Sequence, residues 1–363
     1  MSTEMDCNLT QTLSETDRKC PNCGGVMDYD ASTSGLKCPF CDYEEEIVLE
    51  NEAISSAEEI MLDFSENADN CNWGTETKTI ICKSCGAESI YDAMQISATC
   101  PYCDSNQVTE AHTENTLAPG GVIPFQITDQ SSADLFTKWI KKKWFCPKLA
   151  KQSAKAESFH GVYLPYWTFD ATTSTHYSAR YGITRTVGSG DKRRTKTSWY
   201  STSGHHSQAF DDELILAATN YDTNMLKQLA PFNTAANKPY KPEYIAGFVA
   251  QRYSIGLKDG WELAKKSITE KLRSAITSKI RSKHRADQVA NLTTRTDYTN
   301  LTYKYLLLPI WTSSFQYKGQ VYHFMVNGQT GKVAGKTPIS APKVILTVAG
   351  ILLVVMLYFA FMN

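Results

Sequence analysis

The chain has 363 residues, 42% of them hydrophobic and 21% charged, with a formal net charge of −1. That length excludes a single small domain and predicts two or three units, one with a sizeable core. The near-neutral total hides a split: residues 1–120 hold 5 basic against 23 acidic residues, leaving 32 of the 37 basic and 15 of the 38 acidic residues to the remainder. An acidic head repels phosphate backbones, whereas a basic body is drawn to anionic lipid or acidic protein.

Residues 1–18 are rich in Ser, Thr and Glu. They have neither a basic n-region nor an apolar h-region, so they read as a disordered leader rather than a secretory signal. Eight of the 11 cysteines then fall in four CxxC pairs: Cys20/Cys23, Cys38/Cys41, Cys82/Cys85 and Cys100/Cys103. Each half has the pattern C-x2-C-x14-C-x2-C, and the second repeats the first 62 residues later, the mark of a duplicated module. Two tight turns of this kind supply the four thiolates of a tetrahedral metal site. The spacing predicts two zinc ribbons, at 19–50 and 79–110, with one Zn2+ each; iron in the same ligand set stays open. Gly24 and Gly86 follow a second cysteine, where a left-handed backbone is wanted. Met27-Asp-Tyr-Asp30 and Gly35-Leu-Lys37 read as short ribbon strands. Residues 51–78 form an acidic linker and 111–121 a second linker.

An α+β body is predicted over 122–335. Val122 to Ile127 reads as a strand, followed by a helix from about Ser131 with Leu135, Trp139 and Ile140 at helical spacing. The segment Leu164-Pro-Tyr-Trp-Thr168 recurs as Leu308-Pro-Ile-Trp-Thr312, each leading into hairpin-like stretches. The clearest turn is Lys318-Gly319, between Ser313–Tyr317 and Gln320–Val326. These features predict an antiparallel sheet built on a duplicated unit. Between the copies, Trp261, Ala264, Ile268, Leu272, Ala275, Ile276 and Ile280 form one stripe of a long helix from about Lys258 to Arg285, with lysines and arginines on its other faces. His205-His206 and Asp211-Asp212 sit in what reads as an exposed Ser/Gly/His-rich turn. No nucleotide-binding loop or catalytic triad context is found, so no catalytic residue and no small-molecule substrate are assigned.

Val344 to Met362 carries no charge and no proline. At ~1.5 Å per residue it spans about 28 Å, enough for one membrane crossing. Lys332, Lys336 and Lys343 precede it and only Asn363 follows, which places the N-terminal bulk in the cytosol by the positive-inside rule.

The tandem ribbons, Val122-Ile-Pro-Phe125 with its Lys/Trp-rich helix, Tyr163-Leu-Pro-Tyr-Trp-Thr-Phe-Asp170, Asn327-Gly-Gln-Thr-Gly-Lys332 and the terminal anchor together resemble the bacterial membrane-associated tandem zinc-ribbon proteins. Members are often labelled TFIIB-type zinc-ribbon proteins or primosomal-helicase-like. The resemblance implies the eight cysteines as ligands and no catalytic residue. It also implies partners of the SPFH (flotillin-like) and phage-shock kind in membrane-stress complexes. The function expected is a non-enzymatic scaffold at the cell membrane, with protein partners. The alternative is a nucleic-acid-binding ribbon protein linked to replication or transcription. Four thiolates around each Zn2+ would add negative charge to an already acidic head, which argues against nucleic acid there.

Overall fold

The computed structural model describes residues 19–48, 56–62, 77–82, 88–92, 108–110, 117–153, 159–188, 193–219 and 221–362. The architecture is α+β. The first cysteine segment contains β1 (Asp28–Asp30), β2 (Gly35–Lys37) and β3 (Glu44–Glu45) in a small antiparallel sheet; the expected strands at 27–30 and 35–37 are found, and β3 is additional. Four short strands follow: β4 (Ile60–Met61), β5 (Thr77–Cys82), β6 (Glu88–Asp92) and β7 (Val108–Glu110). Then come β8 (Gly121–Val122), α1 (Asp129–Lys142) and α2 (Lys148–Ser153). The long strands β9 (His160–Val187) and β10 (Arg194–Leu216) are followed by α3 (Thr223–Leu229), β11 (Lys238–Pro239) and β12 (Val249–Gln251). The chain continues with α4 (Leu257–His284), β13 (Gln288–Tyr317), β14 (Gln320–Asn327), β15 (Val333–Gly335) and α5 (Ala341–Met362).

The sequence echo explains the centre of the sheet. Leu164 of β9 lies opposite Leu308 of β13, so the two copies of the motif pair antiparallel with each other about a local two-fold axis. Their tryptophans do equivalent work. Trp167 Nε1 donates to the Ile255 carbonyl at 2.8 Å, and Trp311 Nε1 to that of Ile127 at 2.7 Å. Each indole therefore buries its apolar face while fastening a crossing loop to the sheet.

Both faces of this central region are covered, which is why 160–171 reads as nearly continuous apolar sequence. Trp167, Phe169, Tyr303 and Tyr305 pack under α4 through Trp261, Ala264, Ile268 and Leu272. Val162, Leu164, Leu306 and Leu308 face Met225, Leu226 and Leu229 of α3. Of the predicted α4 stripe, Ala275 alone is only half-buried. Gly260 allows the close approach: a Cβ there would stand 2.7 Å from Trp167 Cδ1.

Farther out, β9, β10 and β13 continue as a three-stranded blade; at ~3.3 Å per residue the 28 residues of β9 reach about 90 Å. Ile276 and Ile280 of α4 bury Tyr177 and Ala179 along one blade face. Three bulges set its twist, with Asp212, Asn291 and Asn300 at φ 50°, 53° and 51°. Asp and Asn tolerate this left-handed backbone better than other side-chain-bearing residues.

Two sequence expectations change. The segment holding His205, His206, Asp211 and Asp212 is not a turn but the interior of β10, paired with β9 on both sides of the bulge at Asp211–Asp212. Polar Ser/Thr/His alternation here marks a sheet face open to solvent rather than a loop. Of the predicted strand 122–127 only Val122 is in strand, at the end of β8, because Pro124 cannot donate to a ladder. Segments read as linkers also touch the body: Ile60–Met61 pairs with β13, and Ala57, Leu117 and Ala118 are buried.

Candidate metal centre and membrane segment

The candidate metal site is made by two turns of the same design. Gly24 N–H donates to the Cys20 carbonyl at 2.8 Å and Asp42 N–H to that of Cys38 at 3.0 Å. Cys20 N–H and Cys38 N–H in turn reach the carbonyls of Gly25 at 2.7 Å and Tyr43 at 2.8 Å. Gly24 and Asp42 occupy the left-handed region at φ 72° and 57°, so Asp42 does in the second turn what the glycine does in the first. Lys37 compensates local acidity through Asp42 at 3.5 Å and Glu44 at 3.2 Å.

These turns bring Cys20, Cys23, Cys38 and Cys41 together. Cys20 Sγ lies 3.4 Å from Cys41 Sγ, Cys23 Sγ lies 3.5 Å from Cys38 Sγ, and all four sulfurs are within 4.8 Å of one another. A tetrahedral zinc with bonds of ~2.3 Å needs sulfur separations of about 3.8 Å, so the donor set fits a four-thiolate ion. Cys20 and Cys38 are buried while Cys23 and Cys41 lie at the surface, giving one wet and one dry side. Burial opposes ionisation of Cys38, but N–H groups of Phe40 and Cys41 and the neighbouring thiols outweigh it and bring that thiol down to about 7. Cys41 goes the other way: the Tyr43 N–H favours its thiolate, yet crowding by Cys20, Cys23 and Cys38 together with burial pushes it up to about 12. Four thiols this close share protons, and full ionisation needs a cation between them.

The ribbon is seated on the body. Tyr29 N–H donates to the Ala246 carbonyl at 3.1 Å, its hydroxyl to the Phe125 carbonyl at 3.3 Å, and Lys241 Nζ to the Val48 carbonyl at 2.6 Å. Tyr29 is 5% exposed and meets Tyr244 edge-on at 6.0 Å; Met27 and Leu36 pack on Ala246. An open cleft of about 460 Å³ remains beside this seat, with Asp28, Asp30, Lys37 and Asp129 at its margins and Phe248 and Trp311 in its wall. Nothing in the cysteine spacing points to Tyr29; its position in the middle of β1 is the only sequence signal.

For the second cysteine set, the backbones of β5 and β6 form a hairpin that joins the large sheet through β12, with Ile90 opposite Ala250. Cys82 ends β5. Cys85, Cys100 and Cys103 lie outside the described residues, as does the environment of the Cys82 side chain.

The acidic and histidine residues do not form one site. Asp170, Asp211 and Asp212 converge within 4.8 Å, but Lys304 Nζ stands 2.8 Å from Asp212 Oδ1 and Thr302 Oγ1 donates to Asp170 at 2.8 Å. His205 faces another row of the blade, 2.8 Å from Ser174 Oγ and beside His176. The Asn327 turn is a structural clamp. Its buried amide donates to the Leu229 and Pro231 carbonyls and accepts from the N–H groups of Gln329 and Thr330, using its full hydrogen-bonding capacity.

At the other end of the chain, Ala341–Phe359 is long and apolar enough to cross a membrane, with a mean hydropathy of 2.2 and none of it buried against the protein. Lys343, in its first turn, donates to the carbonyls of Trp144 at 3.0 Å and Cys146 at 2.8 Å.

No family model matches the chain and no solved structure matches it. It is similar to an uncharacterized protein of Bacillus subtilis (strain 168), YdjG, at 30% identity over 341 residues, covering 92% of this chain and 93% of that protein.

Proposed function

The chain belongs to the same family as the Bacillus subtilis YdjG protein, and we propose that it is a membrane-anchored zinc-ribbon adaptor whose bulk faces the cytosol. One observation carries the proposal: α5 presents 19 consecutive residues that are long and apolar enough for a bilayer and wholly unburied by the body. Such a surface needs a covering, and a hydrocarbon core supplies it. Lys336 and Lys343 at its entrance set the cytosolic side.

In this proposal the ribbons are the recognition heads. Cys20, Cys23, Cys38 and Cys41 would hold one Zn2+, and Cys82, Cys85, Cys100 and Cys103 a second. When bound, zinc supplies folding free energy rather than chemistry, because four thiolates leave it no open position for water or substrate. The seat at Tyr29 gives the first ribbon a fixed orientation on the body that the anchor holds near the membrane. Its acidic surroundings favour a protein partner with basic character over nucleic acid. The resemblance to tandem zinc-ribbon membrane proteins suggests membrane-stress assemblies of the SPFH or phage-shock kind as the setting.

Affinity capture of the full-length protein in mild detergent after nuclease treatment, beside a chain ending at Pro342, tests the proposal. Recovery of membrane-associated proteins by the full chain, diminished in the shorter one, is expected. Equal recovery of replication or transcription proteins by both would overturn it and leave the anchor as a tether for nucleic-acid work.

A further inference from the structure

The corner between α1 and α2 is unusual for a protein surface. It exposes Trp144 at 67%, Phe145 at 40% and Leu149 at 66%, large apolar side chains that a soluble protein ordinarily covers. The same corner carries Lys141, Lys142, Lys143 and Lys148, all exposed, and among the described residues it holds no acidic one between Lys138 and Ser153. Its backbone is firm. Cys146 and Ala150 are buried beneath it with Phe136, Ile140 and Phe324, and Lys151 Nζ caps the Lys141 carbonyl at 2.8 Å.

This corner is also fixed to the start of α5. Ser340 N–H donates to the Phe145 carbonyl at 2.8 Å, and Lys343 Nζ holds the Trp144 and Cys146 carbonyls while lying 5.9 Å from the Trp144 ring. Trp144 therefore stands level with the first turn of the apolar helix, where a spanning helix would enter the bilayer. Tryptophan favours that boundary, and lysines beside it meet anionic headgroups with their stems in the apolar layer.

We propose that this corner is a second membrane contact: Trp144, Phe145 and Leu149 insert into the interface of the leaflet that α5 enters, and the four lysines bind anionic lipid headgroups around them. The contact rests on α5 being a membrane span. Two points of attachment instead of one would stop the body from swinging about residues 336–341 and fix its tilt on the membrane. Continuity with α5 and the uniformly positive charge favour an anionic bilayer as the occupant over a protein partner.

The test uses the full-length protein reconstituted into vesicles of phosphatidylcholine and phosphatidylglycerol whose acyl chains are brominated near the headgroup. Flotation reports the span, and quenching of tryptophan emission by bromine reports the corner. Trp144→Tyr is a surface change and leaves the fold in place. Wild-type and variant proteins are both expected to float, with shallow-bromine quenching about twofold lower in the variant, since the exposed indole at the interface is the one removed. In the wild type, quenching is expected to fall when phosphatidylglycerol is replaced by phosphatidylcholine, and to fall less in a Lys141, Lys142, Lys143, Lys148→Gln variant. Flotation with equal quenching of wild type and Trp144→Tyr would overturn the second contact while leaving the anchor standing. Quenching insensitive to phosphatidylglycerol would overturn the lipid-headgroup role of the lysines. Failure of either protein to float would overturn the span itself.

Discussion

Tyr29 holds the first ribbon on the body, and its truncation to alanine should release that ribbon without dismantling it. The side chain is 5% exposed, touches Tyr244 and Phe248, and donates to the Phe125 carbonyl. Losing a buried aromatic of this size costs about 3–5 kcal/mol, of which the hydroxyl, tested by Tyr29→Phe, accounts for about 1 kcal/mol. At roughly 1.4 kcal/mol per factor of ten, about 3–5 kcal/mol raises the undocked population by about two to three and a half orders of magnitude. Amide hydrogen exchange on the zinc-loaded full-length protein reads this directly, because the residue 29 N–H is bonded across the seat to Ala246 while the Cys20 N–H is bonded within the ribbon to Gly25. The residue 29 amide should exchange faster by that factor and the Cys20 amide should not. Unchanged protection at residue 29, or equal loss at both, would refute the reasoning.

Other consequences follow from particular contacts. Gly260→Ala puts a Cβ 2.7 Å from Trp167 and should cost about 1–3 kcal/mol, seen as a lower denaturation midpoint with an unchanged m-value. Cys38→Ser should release one metal equivalent by colorimetric assay and abolish protection of 19–48, since structural zinc contributes about 10–16 kcal/mol to such units, while the near-ultraviolet signal of the body persists. Lys304 is 6% exposed against Asp212 and Glu59, so Lys304→Met should cost about 3–5 kcal/mol at neutral pH. Burial, then Asp212 and Asp170, raise the Asp211 carboxyl while Lys304 lowers it, so Lys304 contributes most when Asp211 is ionised; the deficit of Lys304→Met in urea unfolding should therefore shrink on acidification. Burial pushes the Tyr29 phenol up to about 12, so docking of the ribbon should be complete below its unfolded value of about 10 and lost as pH rises between the two, followed by exchange at residue 29.

What the sequence revealed and what it withheld divide along physical lines. The first cysteine set was legible because its spacing brings Cys20, Cys23, Cys38 and Cys41 together, and the α4 stripe because six of its seven positions, Trp261 through Ile280, are fully buried on one side. The repeated Leu-Pro-x-Trp-Thr motif correctly pointed to one sheet, but that the copies pair with each other depends on long-range register, which no local pattern encodes. The blade misled for a related reason. Around His205-His206 exposed residues alternate with half-buried ones of equally polar kind, and such polar alternation looks like a loop when the covering helix lies some 70 residues away in sequence. Two of the three bulges had a faint signal in Asn291-Leu-Thr and Asn300-Leu-Thr, a short repeat that gains meaning only beside the backbone angles. The contacts of Tyr29 with Ala246 and of Lys343 with Trp144 could not be read, because each joins segments about 200 residues apart.

The central claim is that a metal-ordered ribbon recruits protein partners to a membrane-held body. The most direct measurement is quantitative capture from solubilised membranes of the wild-type chain and Cys38→Ser, with the membrane-bound amount of each protein determined in the same preparation. Equal membrane content with a severalfold loss of captured partners in Cys38→Ser is the predicted result. Equal capture by both, with the variant shown to lack its zinc, would contradict the claim.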